Sequence, residues 1–430
     1  MNVLITTEHR FTRTPDGSIW TDGINAYQFW HRYLTAFDLV KIAARVVDKP
    51  EVDTRHRRAD GPGVTFLPLP NYLGPWQYLA QSRNVNRAMR ASFDPRDAVI
   101  MRVSSHLAGC LEPELVRAGH PYGLEVVNDP FDVFAPGAVT YRLRPLFRWW
   151  FTRQLRRQCR CAAGVAYVTT SALQRRYPSG AYSIGMSDVE IASDGIVASP
   201  NVFTTHYSSV ELAKEDSVPH GRGPHRRAQT HRLVTVASLA QMYKAPDILL
   251  RAVADCVHAG FDLSLHIVGD GKHRAEMECL ATRLGIENRV RFLGQLPAGA
   301  AVRAELDASD LFVLPSRCEG LPRAMVEAMA RALPCIGSTV GGIPELLPPE
   351  DLVPPGDSRK LAVKIQQVLS SPARMSAMSA QNLARAQEYR DEVLAVRRRA
   401  FFEHIRQATS AWLSQPGWRA DCRNAGWEGC

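Results

Sequence analysis

The chain has 430 residues, 45% hydrophobic and 22% charged, a globular balance with length enough for two domains that each hold a core. Its formal charge of +9 leans toward anionic partners (nucleotides, acidic lipid surfaces or nucleic acid) without choosing among them. Nine cysteines with no CxxC pair point to reduced thiols in a cytosol and exclude a disulfide framework, and Cys159 and Cys161 stand too isolated to hold zinc.

The opening MNVLITTEHRF has no basic n-region followed by an apolar core and reads as a first strand. No apolar run approaches the roughly 18 residues that a membrane span needs, so none is expected. Short apolar runs alternate with helical patterns over the first half, most clearly at 3–6, 99–103, 124–127 and 165–169. The spacing predicts an N-terminal βα domain over 1–210. Residues 211–232, ELAKEDSVPHGRGPHRRAQTHR, are polar, punctuated by Gly and Pro and rich in His and Arg, and read as a linker. A second βα series follows over 233–385, with strands expected at 233–236, 263–268, 290–292, 311–314 and 334–337 and helices at 246–259 and 273–284. One long helix is expected over 379–408, its part from 386 on returning to the N-terminal domain. A tail over 409–430 carries Trp412, Trp418 and Trp427. The fold class expected is α/β, two Rossmann-like domains facing each other across a cleft.

Residues 142–160, RLRPLFRWWFTRQLRRQCR, contain seven arginines and no acid. At helical spacing Trp149, Arg153, Arg156, Arg157 and Arg160 share one stripe, and Phe147, Phe151 and Leu155 share another. Rings at headgroup level with guanidiniums on anionic lipid make a membrane-surface pattern. Arginines facing an anionic acceptor, or a core helix with a solvated basic edge, account for the same residues. Zinc-finger, RNP-like and helix-turn-helix signals are missing, so nucleic acid is not expected as a partner.

Several residues fall where an open α/β sheet binds ligands, at the C-terminal edges of strands. Lys244, in VTVASLAQMYKAPDILLRA, follows the first strand of the second series and can meet a phosphate as a flexible point charge. Gly269 and Gly271, in GDG after LSLHIV, allow a tight turn and close approach of a ligand. Leu293, in FLG, closes the next strand, where backbone groups can meet a nucleobase. Glu319 follows the run LFVLP, and Gly320, Leu321 and Pro322 turn the chain into a helix over about 322–332 that carries Glu327. The free amides of that helix suit a diphosphate, and the two carboxylates suit sugar and ribose hydroxyls better than phosphates, which they would repel. Gly341-Gly342 makes a further glycine turn before a short helix.

These stretches, with VRFLGQL, SDLFVLPSRCEGLPRAMVEAMARALPCIGSTVGGIPEL and LVPPGD, make the chain resemble the retaining glycosyltransferases of the two-Rossmann-domain, glycogen-synthase-like fold, often called family 4 (group 1). The resemblance is dense over about 233–358 and looser before it. It implies a GT-B fold and transfer of a hexosyl group from a UDP- or GDP-sugar to a hydroxyl acceptor with retention, without a cofactor or metal. Glu319 would approach the donor sugar, Glu327 the ribose and Lys244 the diphosphate, with Gly320, Leu321 and Pro322 lying against sugar and phosphate. Many members carry an Arg shortly before the Lys, where this chain has Ala237-Ser238-Leu239. In the N-terminal half, Thr21-Asp22-Gly23 resembles the glycine turn that closes over the donor phosphates. The family often has a His near position 128, where this chain has Asn128 and Asp129. Arg102, His106, Glu125, Asn128 and Asp129 are the acceptor-side candidates. The acceptor expected is a saccharide or lipid-linked saccharide, handled in the cytoplasm or on the inner membrane face through 142–160. A soluble aminocyclitol met by Glu125 and Asp129 is the alternative acceptor. A nucleotide-sugar epimerase and a basic membrane- or nucleic-acid-binding protein are the alternative functions.

Overall fold

The computed structural model describes residues 1–189, 191, 195–196 and 230–424, apart from 24, 54–55, 137–141 and 298. The expected linker, up to residue 229, and Trp427 lie outside the described residues. The chain divides into two compact units, one of Met1–Asn128, Phe151–Met186 and Ala395–Cys430, the other of Asp129–Trp150 and Ser187–Leu394.

In the first unit the strands are β1 (Val3–Arg13), β2 (Ile19–Thr21), β3 (Val40–Asp48), β4 (Arg57–Arg58), β5 (Val64–Leu69), β6 (Ala98–Val103), β7 (Gly123–Val126), β8 (Gly164–Tyr167) and β9 (Tyr182–Gly185). Side by side and parallel run β5, β3, β1, β6, β7, β8 and β9, so the order reverses between β1 and β6. The short β2 and β4 add antiparallel at the far end of β1. β1 runs well past the expected residue 6. A register shift between Thr7 and Arg10 puts Glu8 and His9 in a bulge, and the polar run there hides the strand's second half from apolar patterning. β5 contains Pro68, tolerated because this strand lies at the sheet's edge, and that proline weakened its sequence signal.

The second unit holds β10 (His231–Val236), β11 (Leu263–Val268), β12 (Val290–Gly294), β13 (Leu311–Leu314), β14 (Cys335–Ser338) and β15 (Leu352–Val353). Their order is β12-β11-β10-β13-β14-β15, all parallel, the doubly wound 3-2-1-4-5-6 pattern. These strands are short continuous apolar runs because both faces are covered. One face packs Leu249, Leu250 and Val253 of helix Pro246–His258 and Leu361 and Ile365 of helix Ser358–Leu369. The other packs Met325, Val326 and Met329 of helix Arg323–Ala330.

The single helix expected over 379–408 is two, Pro372–Ala386 and Asp391–Leu413. Between them Tyr389 is buried, and Arg390 adopts an extended backbone that bridges Ile191, an interaction that helical periodicity cannot reveal. Phe401, Phe402 and Ile405 of the last helix are fully buried in the first unit's core with Val3 and Ile5. Truncating either phenylalanine would cost about 3–5 kcal/mol. Trp412, expected in the tail, belongs to this helix and packs edge-on against His120 with ring centroids 4.6 Å apart. Among the described residues no helix is long and apolar enough to cross a membrane.

Candidate active site

In the second unit strand order reverses between β10 and β13, so the connections leaving these neighbours diverge and open a crevice at their C-terminal ends. Lys244 leaves β10 on the turn Met242–Lys244 and Glu319 leaves β13, which brings residues 75 positions apart to one point. Lys244 Nζ donates to Glu319 Oε1 at 2.5 Å, and Ser316 Oγ donates to the same oxygen at 2.6 Å. Glu319 is 6% exposed and Lys244 17%. Burial and the second donor make this a directed, charge-assisted contact, unlike a mobile surface pair. The next residue, Ala245, is buried and left-handed at φ 54°, ψ 48°, a conformation that costs an L-residue about 1–2 kcal/mol. Pro246 then starts the helix, where its missing N–H costs nothing.

Gly341 rests on the backbone of the Glu319 loop. Its φ is 54°, a Cβ there would lie 2.0 Å from Glu319 O, and Gly342 N donates to Gly320 O at 2.6 Å. Only glycine lets the two loops meet this closely. Glu327, about one turn along helix Arg323–Ala330, is partly buried and has no hydrogen-bond partner among the described residues. Burial raises its pKa, opposed by the charges of Arg323 and Arg303. A carboxylate that desolvation penalises and no protein donor compensates is one that a ligand's hydroxyls would stabilise.

Gly269 and Gly271 also meet protein backbone closely. A Cβ on Gly269 would lie 2.1 Å from Ala237 O, and one on Gly271 2.1 Å from Ala240 N. The backbone of 237–240, which has Ala237-Ser238-Leu239 where an arginine is common in the family the chain resembles, therefore requires glycine at both positions. Leu293 and Leu321 are partly buried and pack against the core on their side of the sheet, leaving their backbones as the groups a ligand could meet.

In the first unit Gly23 N donates to Thr21 Oγ1 at 3.1 Å, and Thr21 Oγ1 lies 2.7 Å from His9 Nε2. Burial lowers the pKa of His9. This histidine escaped sequence analysis because it lies in the β1 bulge. Of the acceptor-side candidates, Arg102 is ion-paired with Glu125, which is 2% exposed and also accepts from Tyr33 Oη at 2.7 Å. Asn128 Oδ1 accepts from Ser104 N at 3.1 Å. Asp129 caps the short helix Pro130–Val133 by accepting from Phe131 N at 2.9 Å. The two acids expected to meet a cationic acceptor are thus occupied within their own units. His106 stands apart: its ring lies 4.8 Å from Tyr78 and 5.1 Å from Phe151 between centroids, and its nitrogens make no hydrogen bond among the described residues. Burial lowers its pKa, with Glu8 opposing, so it is neutral near pH 7. The amide end of its helix, His106–Arg117, is filled from within, because Glu8 Oε1 accepts from Ser105 Oγ and Leu107 N, each at 3.0 Å.

Residues 142–160 form most of helix Arg144–Cys161, with Trp149, Arg153, Arg156, Arg157 and Arg160 exposed and Leu155 buried. Part of the basic stripe has partners in the protein. Arg157 pairs with the buried Glu112, and Arg156 Nε donates to Arg176 O at 3.1 Å. Leu146, Trp149 and Trp150 remain large exposed apolar side chains.

Residues 230–371 match a family described as glycosyl transferases group 1. The chain is 26% identical over 350 residues to protein CapJ of Staphylococcus aureus, covering 80% of this chain and 81% of that one. It is 29% identical over 278 residues to 2-deoxystreptamine glucosyltransferase of Streptomyces kanamyceticus, covering 62% and 65%. The solved structure of Anabaena HepE in complex with UDP-glucose superposes with a TM-score of 0.61 at 16% identity, covering 96% of this chain and 100% of that one. The chain is a glycosyltransferase of the GT-B fold. It passes a sugar to an acceptor of undetermined identity.

Proposed function

We propose that the chain is a retaining, metal-independent hexosyltransferase whose donor site is the β10–β13 crevice. The observation that carries this reading is the joining of Lys244, Glu319 and Ser316 at that point, with the unpartnered carboxylate of Glu327 on the helix that follows. In the transfer, the bond from the anomeric carbon to the diphosphate oxygen breaks and its electron pair leaves with the nucleoside diphosphate. The acceptor hydroxyl bonds to the same face of that carbon, and its proton passes to a leaving phosphate oxygen. Charge accumulates on the diphosphate, and the Lys244 ammonium with the amides at the start of helix Arg323–Ala330 would meet it as it develops. Glu319 would hold sugar hydroxyls and Glu327 ribose hydroxyls, which orients the donor.

A UDP- or GDP-sugar is the donor, and the UDP-glucose bound to HepE supports trying UDP-sugars first. The acceptor is a saccharide or lipid-linked saccharide. His106, neutral and with open nitrogens, is the first-unit residue best suited to its hydroxyl. The engagement of Glu125 and Asp129 weighs against a cationic acceptor. The exposed Leu146, Trp149 and Trp150 beside arginines favour reversible contact with an anionic membrane.

The test is calorimetric titration with UDP-, GDP- and ADP-sugars, followed by mass analysis of products with saccharide and lipid-linked acceptors. Folded protein that binds no member of the panel would overturn the reading, and conversion of the sugar nucleotide without an acceptor would make the chain an epimerase.

A further inference from the structure

Arg317 grips the turn that carries Lys244 from both sides. Its backbone N donates to Tyr243 O at 2.7 Å and its guanidinium to Met242 O at 2.9 Å, both just before the lysine. The same guanidinium makes a two-pronged contact with Asp247, at 2.8 and 2.7 Å, three residues beyond it. Arg317 itself lies two residues before Glu319, on the loop leaving β13. One side chain therefore bolts the β10 turn to the β13 loop, spanning the unfavourable left-handed Ala245 between its two points of grip.

We propose that Arg317 is a positioning residue, which with Asp247 holds the Lys244 ammonium at the donor diphosphate; this rests on the placement of Lys244 proposed above. Two features separate it from an ordinary ion pair. The fork geometry demands a planar guanidinium, which a lysine cannot supply. Asp247 also lies in the first turn of helix Pro246–His258, where the helix dipole favours its charge and fixes the other end of the brace. Released from it, the turn can relax away from its strained conformation and carry the lysine with it.

The test is a double-mutant cycle read by calorimetric titration of UDP and, in parallel, GDP into the full chain, with melting temperatures as a control on folding. Lys244→Ala should weaken binding about ten- to a hundredfold, the range for losing a hydrogen bond to a charged group. Arg317→Lys should weaken it about tenfold while Lys244 is present and leave it unchanged in the Lys244→Ala background, because a residue acting through another has no effect once that one is gone. Asp247→Asn, a milder change, should behave in the same way. An Arg317→Lys chain that binds as wild type, or that loses as much affinity without Lys244 as with it, overturns the brace alone. A Lys244→Ala chain that binds as wild type overturns the donor-site reading and the brace together.

Discussion

Replacing Glu319 by Gln should strengthen the binding of free nucleoside diphosphate while reducing sugar transfer. Glu319 Oε1 accepts from Lys244 at 2.5 Å and from Ser316 at 2.6 Å, so the carboxylate competes with a diphosphate for the lysine's charge. The incoming phosphate must win the ammonium from it. Gln keeps the shape and an accepting oxygen but removes the charge. The ammonium remains a charged donor, so its contact with Gln is still a charge-assisted hydrogen bond, and what the substitution removes is the attraction between the two charges, about 0.2–1 kcal/mol for a pair near the surface. That is the competition removed, so UDP or GDP should bind up to roughly fivefold more tightly. Titration of the diphosphate into Glu319→Gln measures this directly. The double variant Lys244→Ala/Glu319→Gln separates competition for the lysine from simple repulsion between carboxylate and phosphate, since only competition needs Lys244. Unchanged or weaker diphosphate binding in Glu319→Gln would refute the reasoning, and a gain that persists without Lys244 would assign it to repulsion.

Lys244→Ala should lower kcat more than acceptor KM, because it removes stabilisation that grows as the diphosphate departs; steady-state kinetics with the donor found by titration would show this. Glu327→Gln should weaken binding of the whole donor through the ribose, yet raise the melting temperature at pH 7. Burial raises the folded carboxyl's pKa above its unfolded value, so the folded state retains the proton more strongly and stability falls as pH rises between the two. The gain from Gln should therefore vanish below pH of about 4, where the acid is protonated in both states. Gly341→Ala places a Cβ 2.0 Å from Glu319 O at a φ of 54°, and should cost at least about 1–2 kcal/mol in chemical denaturation as well as activity. Trp149→Ala/Trp150→Ala should lose sedimentation with anionic vesicles, and wild-type binding should weaken with salt. This pair tests membrane contact more cleanly than reversing Arg157, whose loss would strand the buried Glu112.

The second sheet was legible because buried parallel strands are continuous apolar runs, and LFVLP, LSLHIV and their neighbours write the element order directly. The turn chemistry around Glu319 and Gly341 was legible too, since Gly and Pro punctuate locally. The bulge at Glu8 and His9 was not, nor was the break at Arg390, because in each the chain departs from regular periodicity to satisfy a partner distant in sequence. The glycines of GDG show the same limit: sequence marks a close approach, and tertiary structure decides that a neighbouring loop makes it. Glu125 and Asp129 looked like open acids until packing gave one to Arg102 and Tyr33 and the other to a helix end. Residue type and spacing determined which groups stand at strand ends, where open sheets bind ligands. The meeting of Lys244 with Glu319, and the grip of Arg317 on Asp247 across 70 positions, depended on β10 and β13 becoming neighbours, an adjacency made only when the sheet assembles.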